Sequence, residues 1–118
     1  MTNTTDWDAL PQTVRTFMTA IDAHEADRAL ATLSTDAVVT DEGHDFTGHD
    51  EIGSWVATAA AEFTYTAEFT GATVLERQTG TTVDVRQHLE GDFPGGVADL
   101  HYRFTLNGAL ISRVVIEP

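Results

Sequence analysis

Residues 91–116, GDFPGGVADLHYRFTLNGALISRVVI, decide the fold. Leu100, Tyr102, Phe104 and Leu106 alternate with His101, Arg103 and Thr105, the period of two that marks a half-buried strand. Asn107-Gly108 then separates this run from a last strand, Leu110 to Ile116, as the strongest short hairpin signal does. Asp92-Phe93-Pro94-Gly95-Gly96 is the turn-forming loop of the preceding hairpin, whose first strand carries Val83 and Val85. Phe63, Tyr65, Ala67 and Phe69 repeat the same period further upstream, so the second half of the chain reads as an antiparallel meander.

The register of that meander is also legible. With Val83, Val85, Leu100, Tyr102 and Phe104 pointing inward, Asp84, Arg86, His88, Asp99, His101 and Arg103 point outward. Setting Asp84 opposite Arg103 sets His88 opposite Asp99, a cross-strand charge ladder.

The first half has helical spacing. Leu10, Val14, Phe17, Met18 and Ile21 follow one face behind Pro11 and predict an amphipathic helix over roughly 9–23. Ala29, Leu30 and Leu33 predict a shorter helix from Ala26 to Leu33, ended by Ser34-Thr35-Asp36. A short β-branched strand, Ala37 to Thr40, comes next. Gly48 then precedes a third helix, about 49–62, with Ile52, Trp55, Val56, Ala59 and Ala60 on its apolar side. Three helices before a meander are an α+β pattern, helices on one face of a sheet. At 118 residues the chain is expected to form one domain over 1–118.

Composition excludes several functions. Nineteen acidic residues against six arginines and no lysine give a formal charge of −13, which repels nucleic acid and anionic membrane alike. Such acidity fits either high-salt adaptation or a biased genome. No cysteine is present, so thiol catalysis and cysteine-ligated zinc fall away. With no long apolar stretch and no secretory pattern at the N-terminus, a soluble, cytoplasmic protein is expected. No glycine-rich loop opens a helix after a strand and no serine sits in a nucleophile elbow, which removes nucleotide-cofactor and serine-hydrolase readings.

The chemistry concentrates in residues 38–52, VVTDEGHDFTGHDEI, where four carboxylates and two histidines fall within ten residues, Asp41 to Asp50, after a strand. Asp41 is the first candidate: a strand-end carboxylate beneath aromatic residues has its pKa raised by desolvation. Its ordinary alternative is a turn-building aspartate. His44 either donates to Asp41 or reaches a ligand, or is a plain loop histidine, while Glu42 reads as solvated. His49 and Asp50 open the third helix, where capping and the helix dipole account for the acid. A metal site from Asp41, His44, Asp45 and His49 has suitable ligand types but no recognised spacing, so no metal is expected. Phe17, Trp55, Leu100 and Tyr102 are core residues or the lining of a cavity, and Tyr102 brings a hydroxyl there.

Four stretches in this order, TVRTFMTAIDAHEADRALATL, DAVVTDEG, FTGHDEIGSWV and the opening one, resemble the nuclear transport factor 2-like superfamily, in its SnoaL-like and ketosteroid-isomerase-like branches. The resemblance covers nearly the whole chain. It implies a cone, a strongly curved, mainly antiparallel sheet wrapped around the N-terminal helices, with a pocket at its open end and commonly a homodimer through the sheet. It also implies no cofactor, and it does not by itself name a reaction. Asp41 matches the general base of the ketosteroid isomerases, whereas the positions of their two oxyanion donors match Phe17 and Leu100. Losing one such donor costs on the order of 100- to 1000-fold in rate, so classical steroid isomerisation is not expected. The acid of the SnoaL-like cyclases lies on a later strand, where Asp84 and Asp99 stand, but alternation turns both outward. The expected function is a pocket for an apolar small molecule, with Asp41, helped by His44, moving a proton on a carbonyl compound. The alternative is a non-catalytic binding or dimerisation module.

Overall fold

The computed structural model describes residues 5–58, 64–78 and 80–118. A single 3-10 turn, Trp7–Ala9, precedes α1 (Gln12–Asp22) and α2 (Ala26–Leu30). Then come β1 (Leu33–Asp41), β2 (His44–Thr47), α3 (Gly48–Ala57), β3 (Tyr65–Arg77), β4 (Gly80–Gly91), β5 (Val97–Asn107) and β6 (Leu110–Glu117). The six strands form one sheet in the order β2-β1-β6-β5-β4-β3. Only the β1–β6 pair is parallel among the described residues; the rest are antiparallel.

The architecture is mixed α+β, and the meander follows the expected register. Asp84 faces Arg103 and His88 faces Asp99 across β4 and β5. Asn107 pairs with Leu110 around the turn that closes β5 on β6, and Gly108 takes φ +65° there. Most inward positions are apolar and covered: Val83, Val85, Tyr102, Phe104, Ile111 and Val114 are all buried. Phe17 of α1 stands edge-on to Phe104, ring centres 5.5 Å apart, with α3 contributing buried Ile52, Trp55 and Val56. One apolar core thus joins the helices to one sheet face.

The first half departs from the sequence reading in three places. Helix α2 ends at Leu30, and Ser34, Thr35 and Asp36 lie inside β1 rather than ending a helix. The Thr32 hydroxyl donates to the Ala29 carbonyl at 2.6 Å, so it bonds backbone within the last turn of the helix and leaves the next residues extended. Residues 41–47 are not a loop: Asp41 pairs with His44 around Glu42-Gly43, both at positive φ (53° and 78°), and β2 returns along β1. That is the backbone of a two-residue primed turn, built here without asparagine. Helix α3 starts at Gly48 and reaches Ala57, while Ala59, Ala60 and Phe63 lie outside the described residues. Its first turn is held by Glu51, whose carboxylate accepts from the Thr47 N–H at 2.9 Å.

Candidate functional site

Strand β1 sends Ala37, Val39 and Asp41 to the inner face, the first two fully covered. Asp41 is therefore the polar end of an apolar row. The Trp55 indole N–H, from α3, donates to Asp41 Oδ2 at 3.0 Å. Burial raises the Asp41 pKa; the Trp55 bond opposes this, Glu42 adds to it and His44 opposes it weakly. His44 is exposed at the paired position across the turn and acts on Asp41 through charge.

Three further groups share the electrostatics of Asp41. Asp22, the last residue of α1, also has its pKa raised by burial, against the effect of His24 and the Tyr65 hydroxyl. Tyr65, the first residue of β3, is pushed up to about 12 by burial and by Asp22, with a contribution from Asp41. Tyr102 is raised further, by burial first and then by Tyr65, Asp22 and Asp41. Both phenols thus feel both carboxyls, although the four groups come from α1, β1, β3 and β5. Gly91 stands opposite Tyr65, and a Cβ there would come within 2.6 Å of the Tyr65 Cβ, so glycine leaves that ring its place.

Two concavities lie to either side. One, about 440 Å³, is lined by Trp7, Thr19, Asp22, Ala23, Ala67, Phe69 and Gln87. The other, about 380 Å³, lies outside α3 along Phe46, Asp50, Glu51, Ser54, Trp55 and Thr58. Asp41 lines neither; Asp22 belongs to the first, and Trp55, which donates to Asp41, to the second.

The Trp55 indole reaches Asp41, and buried Tyr102 lies close enough to feel the Asp41 charge. Leu100 is half-buried on the same face, directly across from Gln87. Phe17 is fully covered by the core and lines neither concavity. Of the four residues weighed as metal ligands, Asp45 accepts from the Thr40 hydroxyl at 2.6 Å. His49 Nε2 donates to the Leu33 and Ser34 carbonyls at 3.2 Å, tying α3 to β1. Among the described residues no three metal-binding side chains converge. Asp22, Tyr65 and Gln87 were not foreseen as site residues. Gln87 left a signal: it is the single amide in the inward row Val83, Val85, Gln87, Leu89.

A mixed α+β fold with buried Tyr102, half-buried Asp41 and Tyr65, and Asp22 at the rim of an aromatic-walled concavity defines the class. The family model of the SnoaL-like domain matches residues 14–114, and the chain belongs to that family, within the nuclear transport factor 2-like superfamily. Among solved structures it is similar to a protein of Sinorhizobium meliloti described as a candidate polyketide cyclase. They are 29% identical, with a TM-score of 0.81 over 96% of this chain and 100% of the other. A Mycobacterium tuberculosis protein solved with estradiol-17β-hemisuccinate is 16% identical, TM-score 0.69, over 91% of each chain. The Anabaena orange carotenoid protein, solved with canthaxanthin, is 17% identical at TM-score 0.81, over 98% of this chain and 38% of the other. No match is found among curated proteins. Among the described residues no helix is long and apolar enough to cross a membrane.

Proposed function

We propose that this chain is a cone-shaped pocket protein for an apolar, carbonyl-bearing small molecule, and that Asp41 moves a proton on that molecule without a cofactor. The observation that carries the reading is Asp41 itself: a carboxyl at the end of an apolar row, held by the Trp55 indole, with its pKa raised by burial. A base whose pKa is brought closer to neutrality is better matched to proton abstraction beside a carbonyl. In that step the Asp41 carboxylate takes the α-proton and the C–H electron pair moves into the carbonyl, leaving negative charge on its oxygen. Tyr102 and Tyr65 keep their protons well past neutral pH and can donate hydrogen bonds to that oxygen. Asp41 then returns the proton, to the same or a conjugated carbon. This donor set differs from that of the classical steroid isomerases, whose positions are Phe17 and Leu100 here. His44 tunes the charge of Asp41, and Trp55, Leu100 and Tyr102 border the ligand.

A second reading, a binding module without catalysis, is favoured by one observation: Asp41 lines neither concavity. Exchange of α-protons separates the two. The full chain is incubated with 2-tetralone in deuterated buffer and followed by proton NMR. Catalysis predicts accelerated exchange that Asp41→Asn lowers by about 100-fold or more. Binding without acceleration would leave the module reading. On either reading we take residues 1–118 as one cytoplasmic SnoaL-like domain. We also take it to pair as a homodimer through the outer face of β4 and β5, whose interleaved acids and bases are self-complementary. Sedimentation measures that directly.

A further inference from the structure

Gln87 is out of place in its surroundings. It is 4% exposed in a row with Val83, Val85 and Leu89, and flanked across the strands by Phe69 and Leu100. Its Oε1 is buried and accepts no hydrogen bond among the described residues. Buried amides are nearly always paired, and a leucine would suit this row at similar volume. The same side chain lines the concavity of about 440 Å³. There Trp7 and Phe69 meet edge to face, ring centres 5.7 Å apart, and Asp22 supplies a second acceptor.

These observations describe what would fill the space. An aromatic wall takes a flat apolar body, and a volume of this size lies within the range of small-molecule sites. An unpaired carbonyl oxygen takes a donor, while the Asp22 carboxylate disfavours an anion. We propose that Gln87 Oε1 accepts a hydrogen bond from a hydroxyl group of a neutral, flat, apolar ligand seated against Trp7 and Phe69. Gln87 is then the residue that selects hydroxylated over hydroxyl-free ligands. This rests on the reading of the chain as a small-molecule pocket protein, and not on the chemistry of Asp41.

The test uses two probes that differ in one donor, 2-naphthol and 2-methoxynaphthalene, titrated into the full chain by NMR. The Trp7 indole N–H, assigned with Trp7→Phe, reports this concavity, and the Trp55 indole reports the other side. The proposal predicts that 2-naphthol binds about tenfold more tightly and moves the Trp7 signal. It further predicts that Gln87→Leu erases the difference, still binds 2-methoxynaphthalene and melts no lower than wild type. Gln87→Met, close to the same length, serves if the leucine variant does not fold. Equal binding of both probes by wild type, or a naphthol preference that survives in the variant, overturns the proposal and leaves the pocket reading standing. A variant that folds but melts well below wild type also overturns it, since the amide would then be bonded within the fold. If neither probe binds at millimolar concentration, the pocket reading fails and this inference fails with it.

Discussion

The two faces of the β4–β5 pair treat polar side chains in opposite ways. On the outer face, His88 lies 2.7 Å from Asp99 and 2.9 Å from Glu90, and His101 lies 2.9 Å from Asp84. Arg86 stands 3.5 Å from Asp84, and Arg103 pairs with Glu117. Every one of these groups has a partner of opposite charge and access to water. On the inner face, Gln87 has a carbonyl oxygen with no donor among the described residues, and further along the same sheet, on β1, Asp41 has its pKa raised by burial. Satisfied polar groups are explained by the fold they decorate. Polar groups kept at a cost to the fold point instead to a ligand or a reaction.

Substitutions on each face test this contrast. Trp55 is 3% exposed and stacks at a tilt on Phe46, ring centres 6.0 Å apart. Trp55→Ala is expected to cost about 3–5 kcal/mol in denaturant unfolding, the usual range for emptying such a space. Trp55→Phe keeps most of the packing but removes the indole donor, so the Asp41 pKa should rise further in a carboxyl NMR titration. An unchanged titration would show that the indole does not hold the carboxylate.

Smaller effects are expected at the turn beside it. Glu42 sits at φ 53° in a two-residue hairpin turn where asparagine is at ease. Glu42→Asn should stabilise the chain by roughly 0.5–1 kcal/mol, measured by urea unfolding. It should also lower the Asp41 pKa, because the Glu42 charge contributes to raising it.

The smallest effect belongs to the outer face. Asp99 and then Glu90 hold the His88 pKa above its ordinary value. A raised histidine pKa contributes stability that is present below the ordinary value near 6.5 and is lost as pH rises through the raised one. Asp99→Asn should bring the His88 titration back toward ordinary, read by imidazole NMR, with the melting temperature almost unchanged. A large loss of stability would mean that this face is more than a solvated ladder.

How much of this was legible in the sequence follows from separation along the chain. The period-two runs and Asn107-Gly108 set the meander, and one assumed pairing fixed a register that the structure keeps. Strand β2 escaped because Glu42-Gly43 lacks the usual turn residues, although its glycine does take a positive φ. Ser34–Asp36 looked like a helix stop because polar residues usually punctuate, yet they carry β1 past its bulge against β6. Asp41 and Trp55 were each readable, 14 residues apart, but not the hydrogen bond between them. The coupling of Asp22 to Tyr65 crosses 43 residues and has no local signature. Gln87 needed only the question of why an amide occupies an inward position, since alternation alone places it there.

Whether the inner carboxyl is held at a cost is read by titrating Asp41 with carboxyl-selective NMR beside the stability of Asp41→Asn. A raised folded-state pKa means that ionising Asp41 opposes folding. Wild type then loses stability as pH climbs from the ordinary carboxylate value, about 4, through the raised one. A pKa above that value is expected. The asparagine variant should be at least as stable as wild type at neutral pH, with a flatter pH dependence in that window. A pKa at or below the ordinary value, with a less stable variant, would make Asp41 a turn-building residue and contradict the account.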